Sequence, residues 1–337
     1  METNDFQNSF LYKILSLYPK KAMAIDSIGE VLSLSKDAIY RRLRGDSVLT
    51  PTEMARLAVR YNISLDDLVH QSENRVFFDF NAFNSKIDNV EDYIDGLLFG
   101  LKRLTPLPKI HLYYPTCEIP IFYYCYFPEL FFFKLYVWGR TIWQMDYLMK
   151  VPFNANLFSV FVREKTLATI NEYIKIPSTE LWSLNIFDNT LNQVEYHAES
   201  GYFEKKEDAL ELCDMLKKIA KHMESMAERG EKQDLDGNKI GATFTLFQNE
   251  MIYTNNMVLV KSDKYSAVHS SFCNPNFITS ADSKLFIYTE KWFKSIIAKS
   301  TPIGTMDEKN RSKFFSKIIQ KIDRAKLRIE SFSQETI

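Results

Sequence analysis

Over residues 6–17 the apolar positions Phe10, Leu11, Ile14 and Leu17 fall three and four apart, the spacing of one helix face. Pro19 closes that run, and a second follows over 23–32 with Ile25, Ile28, Val31 and Leu32 apolar. Gly29 lies inside it at a cost of about 1 kcal/mol relative to alanine, which predicts the close approach of another helix. Ser33 and Leu34 form a turn. A third helix is expected over 35–44, with Ser35 as N-cap and Gly45 as a left-handed stop. Ile39 and Leu43 are its thin apolar stripe, while Lys36, Tyr40, Arg41 and Arg44 point elsewhere. Thr50-Pro51-Thr52-Glu53 reads as a capping box opening a fourth helix through Met54, Leu57, Ala58 and Tyr61. Ser64 and Asp67 would start a fifth through Leu65, Leu68 and Val69. These five short helices predict an all-α domain over residues 1–72.

The texture changes after Gln71. Residues 75–83 read as a strand or an irregular joint. Ile87, Val90, Ile94, Leu97, Leu98, Leu101 and Leu104 predict a helix stopped by Pro106 and Pro108, and 109–114 a strand. Residues 122–143 are unusually aromatic and read as a helix from Pro128, serving as core, as ligand-pocket lining, or both. Helices are expected over 157–176, 178–196 and 206–229, then a polar loop over 230–241. Short antiparallel strands follow at 242–247, 257–261, 265–272 and 277–279, the first two joined by a turn around Asn249, Asn255 and Asn256, and then a helix near 283–299. In a last helix over 307–332, Phe315, Ile318, Ile322, Ala325, Ile329 and Phe332 make an a/d seam beside Lys313, Lys317, Lys321, Arg324 and Arg328. That seam fits a dimer contact, a cationic surface near DNA, or packing within its own domain. The expected fold is α+β and mostly helical: an all-α N-terminal domain, then residues 73–337 as a helical middle (84–230) and an α+β part (240–337) with a small antiparallel sheet.

Charge narrows the reading. The net charge of −1 excludes a broadly basic nucleic-acid binder, and residues 1–72 carry nine Lys and Arg against nine Asp and Glu. Any nucleic-acid contact must therefore come from where the cations sit. Cys117, Cys125, Cys213 and Cys273 form no C-x-x-C pair, which points to reduced thiols in a cytoplasmic setting. The polar, acidic start of the chain gives no signal-peptide pattern. Residues 119–138 are interrupted by Pro120, Pro128, Glu129 and Lys134, and a charge at a bilayer centre costs roughly 2.5–3.5 kcal/mol, so a buried element rather than a membrane span is expected.

Ile28-Gly29 through Leu32-Ser33-Leu34-Ser35, followed by Ile39 and the arginine-rich end at Gly45, resembles the helix-turn-helix of lambda-repressor-like (Xre-type) regulators. Gly29 matches the small residue of the family's first helix, Leu34 its apolar turn residue and Ile39 its recognition-helix anchor. Residues 62–68 resemble the start of its last helix. Ser33 stands where glycine is common, and Arg42 where an apolar residue is common. The resemblance covers roughly residues 8–70 and implies a five-helix DNA-binding domain. Lys36, Tyr40 and Arg41 would read bases, Asp37 would accept from cytosine or orient Arg41, Arg42 and Arg44 would contact phosphates, and Ser35 would cap and donate to a phosphate. The expected partners are double-stranded DNA, a second copy in a homodimer, and a small-molecule or protein effector at residues 73–337. The alternative is an interaction scaffold or small-molecule-binding protein whose helical N-terminus leaves DNA alone. Phosphate-loop, dinucleotide, nucleophile-elbow and zincin signatures are missing, and Asp234-Leu235-Asp236-Gly237-Asn238 reads as a polar turn. No enzyme, cofactor or metal site is expected.

Overall fold

The computed structural model describes residues 3–18, 20–61, 63–65, 68, 76–80, 87, 89–250 and 256–332. The chain divides into two units, Met1–Phe77 and Phe78–Ile337, a few residues beyond the change in sequence texture. The fold is mixed α+β and mostly helical. Among the described residues no helix is long and apolar enough to cross a membrane.

The first unit contains helices α1 (Thr3–Leu15), α2 (Lys21–Leu32), α3 (Lys36–Arg44) and α4 (Pro51–Tyr61). Phe10, Leu11 and Ile14 of α1, Ile25, Ile28 and Leu32 of α2, Ile39 of α3 and Leu57 of α4 close one core. These are the apolar stripes that set each helix. The fifth helix expected from Ser64 and Asp67 lies largely outside the described residues, although Leu68 joins this core.

The second unit is organised by one mixed sheet, not by the small antiparallel one that the sequence suggested. Its strands are β1 (Asp79–Phe80), β2 (His111–Thr116), β3 (Ser178–Trp182), β4 (Glu231–Gln233), β5 (Lys239–Gln248), β6 (Met257–Lys261), β7 (Ser266–Cys273), β8 (Asn276–Ser280) and β9 (Thr301–Pro302). They run in the order β1-β8-β7-β6-β2-β3-β5-β4, with β9 on β5. The pairs β2–β3 and β3–β5 are parallel. β5 and β6 do not form the expected hairpin, because β5 pairs with β3 and β4 while β6 lies between β2 and β7.

Parallel neighbours need long crossovers. The first is supplied by α6 (Ile121–Tyr124), α7 (Pro128–Thr141), α8 (Asp146–Met149) and α9 (Val160–Tyr173), the second by α10 (Asp188–Glu199) and α11 (Lys206–Arg229). The segment read as a helix over 178–196 is therefore a strand followed by α10. β3 is nearly continuously buried, so it lacks the alternation that marks a half-exposed strand. The presumed loop over 230–241 holds β4, whose Lys232 and Gln233 are buried.

One sheet face carries Leu112, Phe244, Leu246 and Val260 into the main core, together with α5 (Val90–Leu104) and α7, and buries Tyr114 and Glu180 beside them. The other face buries Leu259 and Val268 against Phe286 of α12 (Ser283–Ile297). Helix α7 is apolar around most of its circumference, which is why it is interior. The seam of α13 (Glu308–Ser331) is spent inside its own unit: Phe315, Ile318, Ile322, Ala325 and Ile329 are buried in the main core. Beside the seam, Lys326 meets Asp214 and Lys217 meets Asp323, each at 2.7 Å, while Lys321 meets Asp188 at 2.8 Å. A dimer contact through this seam is thereby ruled out for the folded unit.

Glu180 is fully buried and accepts from the Tyr123 and Tyr173 hydroxyls (2.5 and 3.0 Å), Ser178 (2.9 Å) and Trp182 Nε1 (3.0 Å). Lys232 Nζ lies 3.8 Å from the centre of the Tyr173 ring and has no hydrogen-bond partner among the described residues. Burial pushes it down to about 7 against the pull of Glu180.

Candidate nucleic-acid interface

Helix α3 is defined by its ends. The Ser35 hydroxyl accepts from the Ala38 N–H at 3.4 Å, as an N-cap should. Gly45 takes φ +82°, its N–H bonds to the Arg42 carbonyl, and the Asp46 N–H bonds to the Arg41 carbonyl at 2.9 Å. The preceding turn is just as tight. Ser33 adopts φ +57°, the left-handed conformation that favours glycine. The Leu34 N–H bonds back to the Gly29 carbonyl at 3.0 Å. A Cβ on Gly29 would stand 3.0 Å from the Leu34 carbonyl oxygen. The small residue thus serves the turn, not the close approach of another helix.

Three contacts hold α3 from behind. Ile39 is fully buried in the core. Gln7 of α1 is buried too. Its amide nitrogen donates to the Arg42 and Ser47 carbonyls, both at 2.9 Å, and its oxygen accepts from the Leu49 N–H at 2.6 Å. Gln7 therefore suspends the end of α3 and the loop after it. Arg42 supplies the third contact: its guanidinium meets Glu53 at 2.7 Å and donates to the Ala38 carbonyl at 3.3 Å. Glu53 also accepts from the Thr50 N–H at 2.7 Å, and its own N–H donates to the Thr50 hydroxyl at 3.2 Å, completing the capping box of α4. Burial works to raise the Glu53 carboxyl, but the Thr50 N–H and the Arg42 charge outweigh it and hold the group below its ordinary value.

Arg42, expected at a phosphate, is thus half-buried between α3 and α4. An arginine reaches such a place because its stem packs on apolar surface while the fork finds a carboxylate. The remaining expected residues, Ser35, Lys36, Asp37, Tyr40, Arg41 and Arg44, are all exposed. Lys36 pairs with Asp26 of α2 at 2.5 Å, a contact that raises its pKa, and Arg44 pairs with Asp46 at 2.8 Å. Arg41 has no carboxylate partner among the described residues. The face is therefore rich in donors yet nearly neutral at rest.

Gln7 escaped the sequence reading, although a trace of it was there. It stands three and four residues before Phe10 and Leu11, a lone amide on an apolar stripe. In the second unit, the aromatic stretch over 122–143 is mostly core, but Phe122, Tyr124, Lys134 and Trp138 also line a cavity of about 200 Å³. Among the described residues no three His, Cys, Asp or Glu side chains converge as metal ligands. No protein-family model, curated protein or solved structure matches the chain.

Proposed function

We propose that this chain is a sequence-specific DNA-binding transcriptional regulator, with residues 1–72 as a lambda-repressor-like five-helix domain and α3 as its recognition helix. The observation that carries the reading is α3 itself. It is capped at both ends, clamped from behind by Gln7, Ile39 and Arg42, and shows Lys36, Tyr40, Arg41 and Arg44 to solvent. A major groove accepts such a helix. Lys36, Tyr40 and Arg41 would contact base edges, Asp37 would orient Arg41 or accept from cytosine, and Ser35 and Arg44 would contact the backbone. Arg42 positions the helix instead of touching DNA.

One helix reads only a few base pairs, so a palindromic operator and a homodimer follow, in the cytoplasm, with the second unit receiving a signal. No catalytic role is part of this reading. The test is selection of bound fragments from genomic DNA with the purified full chain. Enrichment of a short inverted repeat is the expected result, whereas fragments sharing no sequence would overturn the reading.

A further inference from the structure

The cavity of the second unit lies between α5 and the sheet, beside the carboxyl end of β2. Open α/β sheets commonly bind ligands outside the carboxyl ends of their parallel strands. Most of its lining is apolar, including Leu101, Ile119, Val258 and Phe277. Gly96 and Gly100 of α5 form part of the wall and are exposed, so the cavity reaches solvent there. A Cβ at either would meet nothing within 4 Å. Each glycine costs about 1 kcal/mol inside a helix, and no packing neighbour requires them. What they leave is an opening.

Two opposite charges face this space, and the side chains that hydrogen-bond them are amides. Lys134 is fully buried; its Nζ donates to Gln193 Oε1 at 2.6 Å and lies 5.2 and 5.4 Å from the Tyr124 and Trp138 ring centres. Glu118 accepts from Asn189 Nδ2 at 2.5 Å and Asn274 Nδ2 at 2.8 Å. Neither makes an ion pair among the described residues. Lys134, withdrawn from water, is expected to be paired, while Glu118 is half-buried. A ligand with one charge would leave the cavity charged, while a zwitterion satisfies both groups and leaves it neutral. A 150 Å³ apolar cavity holds benzene, so about 200 Å³ holds roughly a ring or branched chain with a short extension.

We propose that this cavity binds a free α-amino acid with a large apolar side chain, its carboxylate meeting Lys134, its ammonium meeting Glu118 and its side chain lying among the apolar wall residues. As the signal of the regulator it would deepen the reading above, but the site itself is tested without DNA. Isothermal titration of the full chain with L-phenylalanine and L-leucine is compared with 3-phenylpropanoate, which lacks the ammonium, and 2-phenylethylamine, which lacks the carboxylate. The amino acids should saturate the protein, with each truncated analogue at least about ten-fold weaker. Lys134→Met should erase the advantage over 2-phenylethylamine, and Glu118→Gln the advantage over 3-phenylpropanoate. Gly100→Leu fills the opening while improving the helix, so it should abolish binding without lowering Tm. Absence of binding by both amino acids at about 10 mM, equal binding of either analogue, or full binding by Gly100→Leu overturns the proposal. Failure to find an operator would leave all these outcomes unchanged.

Discussion

On α3 the cations Lys36, Arg42 and Arg44 each meet a carboxylate, whereas in the second unit Lys134 and Lys232 are buried and meet none among the described residues. Exposure decides what each arrangement is good for. The Lys36 and Arg44 side chains are 68% and 63% exposed, and pairs of that kind contribute about 0–1 kcal/mol. They can exchange a carboxylate for a phosphate or a base at little cost. Arg42, at 15%, is committed to its partner. The buried lysines cannot relax into solvent, so they answer either to pH or to whatever enters the space beside them.

The largest effect is expected of Arg42→Ala, which strands Glu53 and loosens α3 from α4. The unfolding free energy of the first unit should fall by about 3 kcal/mol, read by denaturant melting; a loss near zero would place Arg42 among the exposed cations. Next comes pH. Lys232 has a folded pKa of about 7 against 10.5, so above pH 7 the unfolded chain holds a proton that the folded one has lost. Stability should therefore rise with pH, by about 2 kcal/mol from pH 7 to about 8.5. Lys134, at about 8, adds in the same sense, while the buried thiols of Cys125 and Cys213 oppose it only as the pH nears 9. Lys232→Met should flatten most of the slope, and an unchanged slope would assign it elsewhere.

Smaller effects are expected on the exposed side. Ser33→Gly relieves the left-handed residue of the turn and should stabilise the first unit by up to about 1 kcal/mol, seen as a rise in its Tm. Asp26→Asn removes the carboxylate that competes for Lys36, so operator affinity should increase about two- to three-fold. Unchanged affinity would mean that Lys36 does not reach the DNA.

Ser35, Gly45 and the Thr50–Glu53 box were legible in the sequence because helix ends are built from neighbours. Arg42, expected at a phosphate, has its partner on the next helix instead, in a glutamate already accounted for as a cap. β3 was unreadable for a related reason. Its partners β2 and β5 lie far along the chain, and a buried parallel strand that includes Glu180 shows neither alternation nor a continuous apolar run. The cavity left two isolated marks, the glycines at 96 and 100 and the lysine inside an aromatic helix. Only the sheet brings them together with Glu118.

The proposal that the exposed face of α3 reads DNA is tested by the affinity of the full chain for its selected operator across a range of salt concentrations, with Arg41→Ala in parallel. The logarithm of the binding constant should fall linearly with the logarithm of salt concentration. Arg41→Ala should weaken binding by about 1–3 kcal/mol and relax the preference at one base pair, with an unchanged Tm. An affinity that ignores salt and is untouched by Arg41→Ala would mean that α3 does not read DNA.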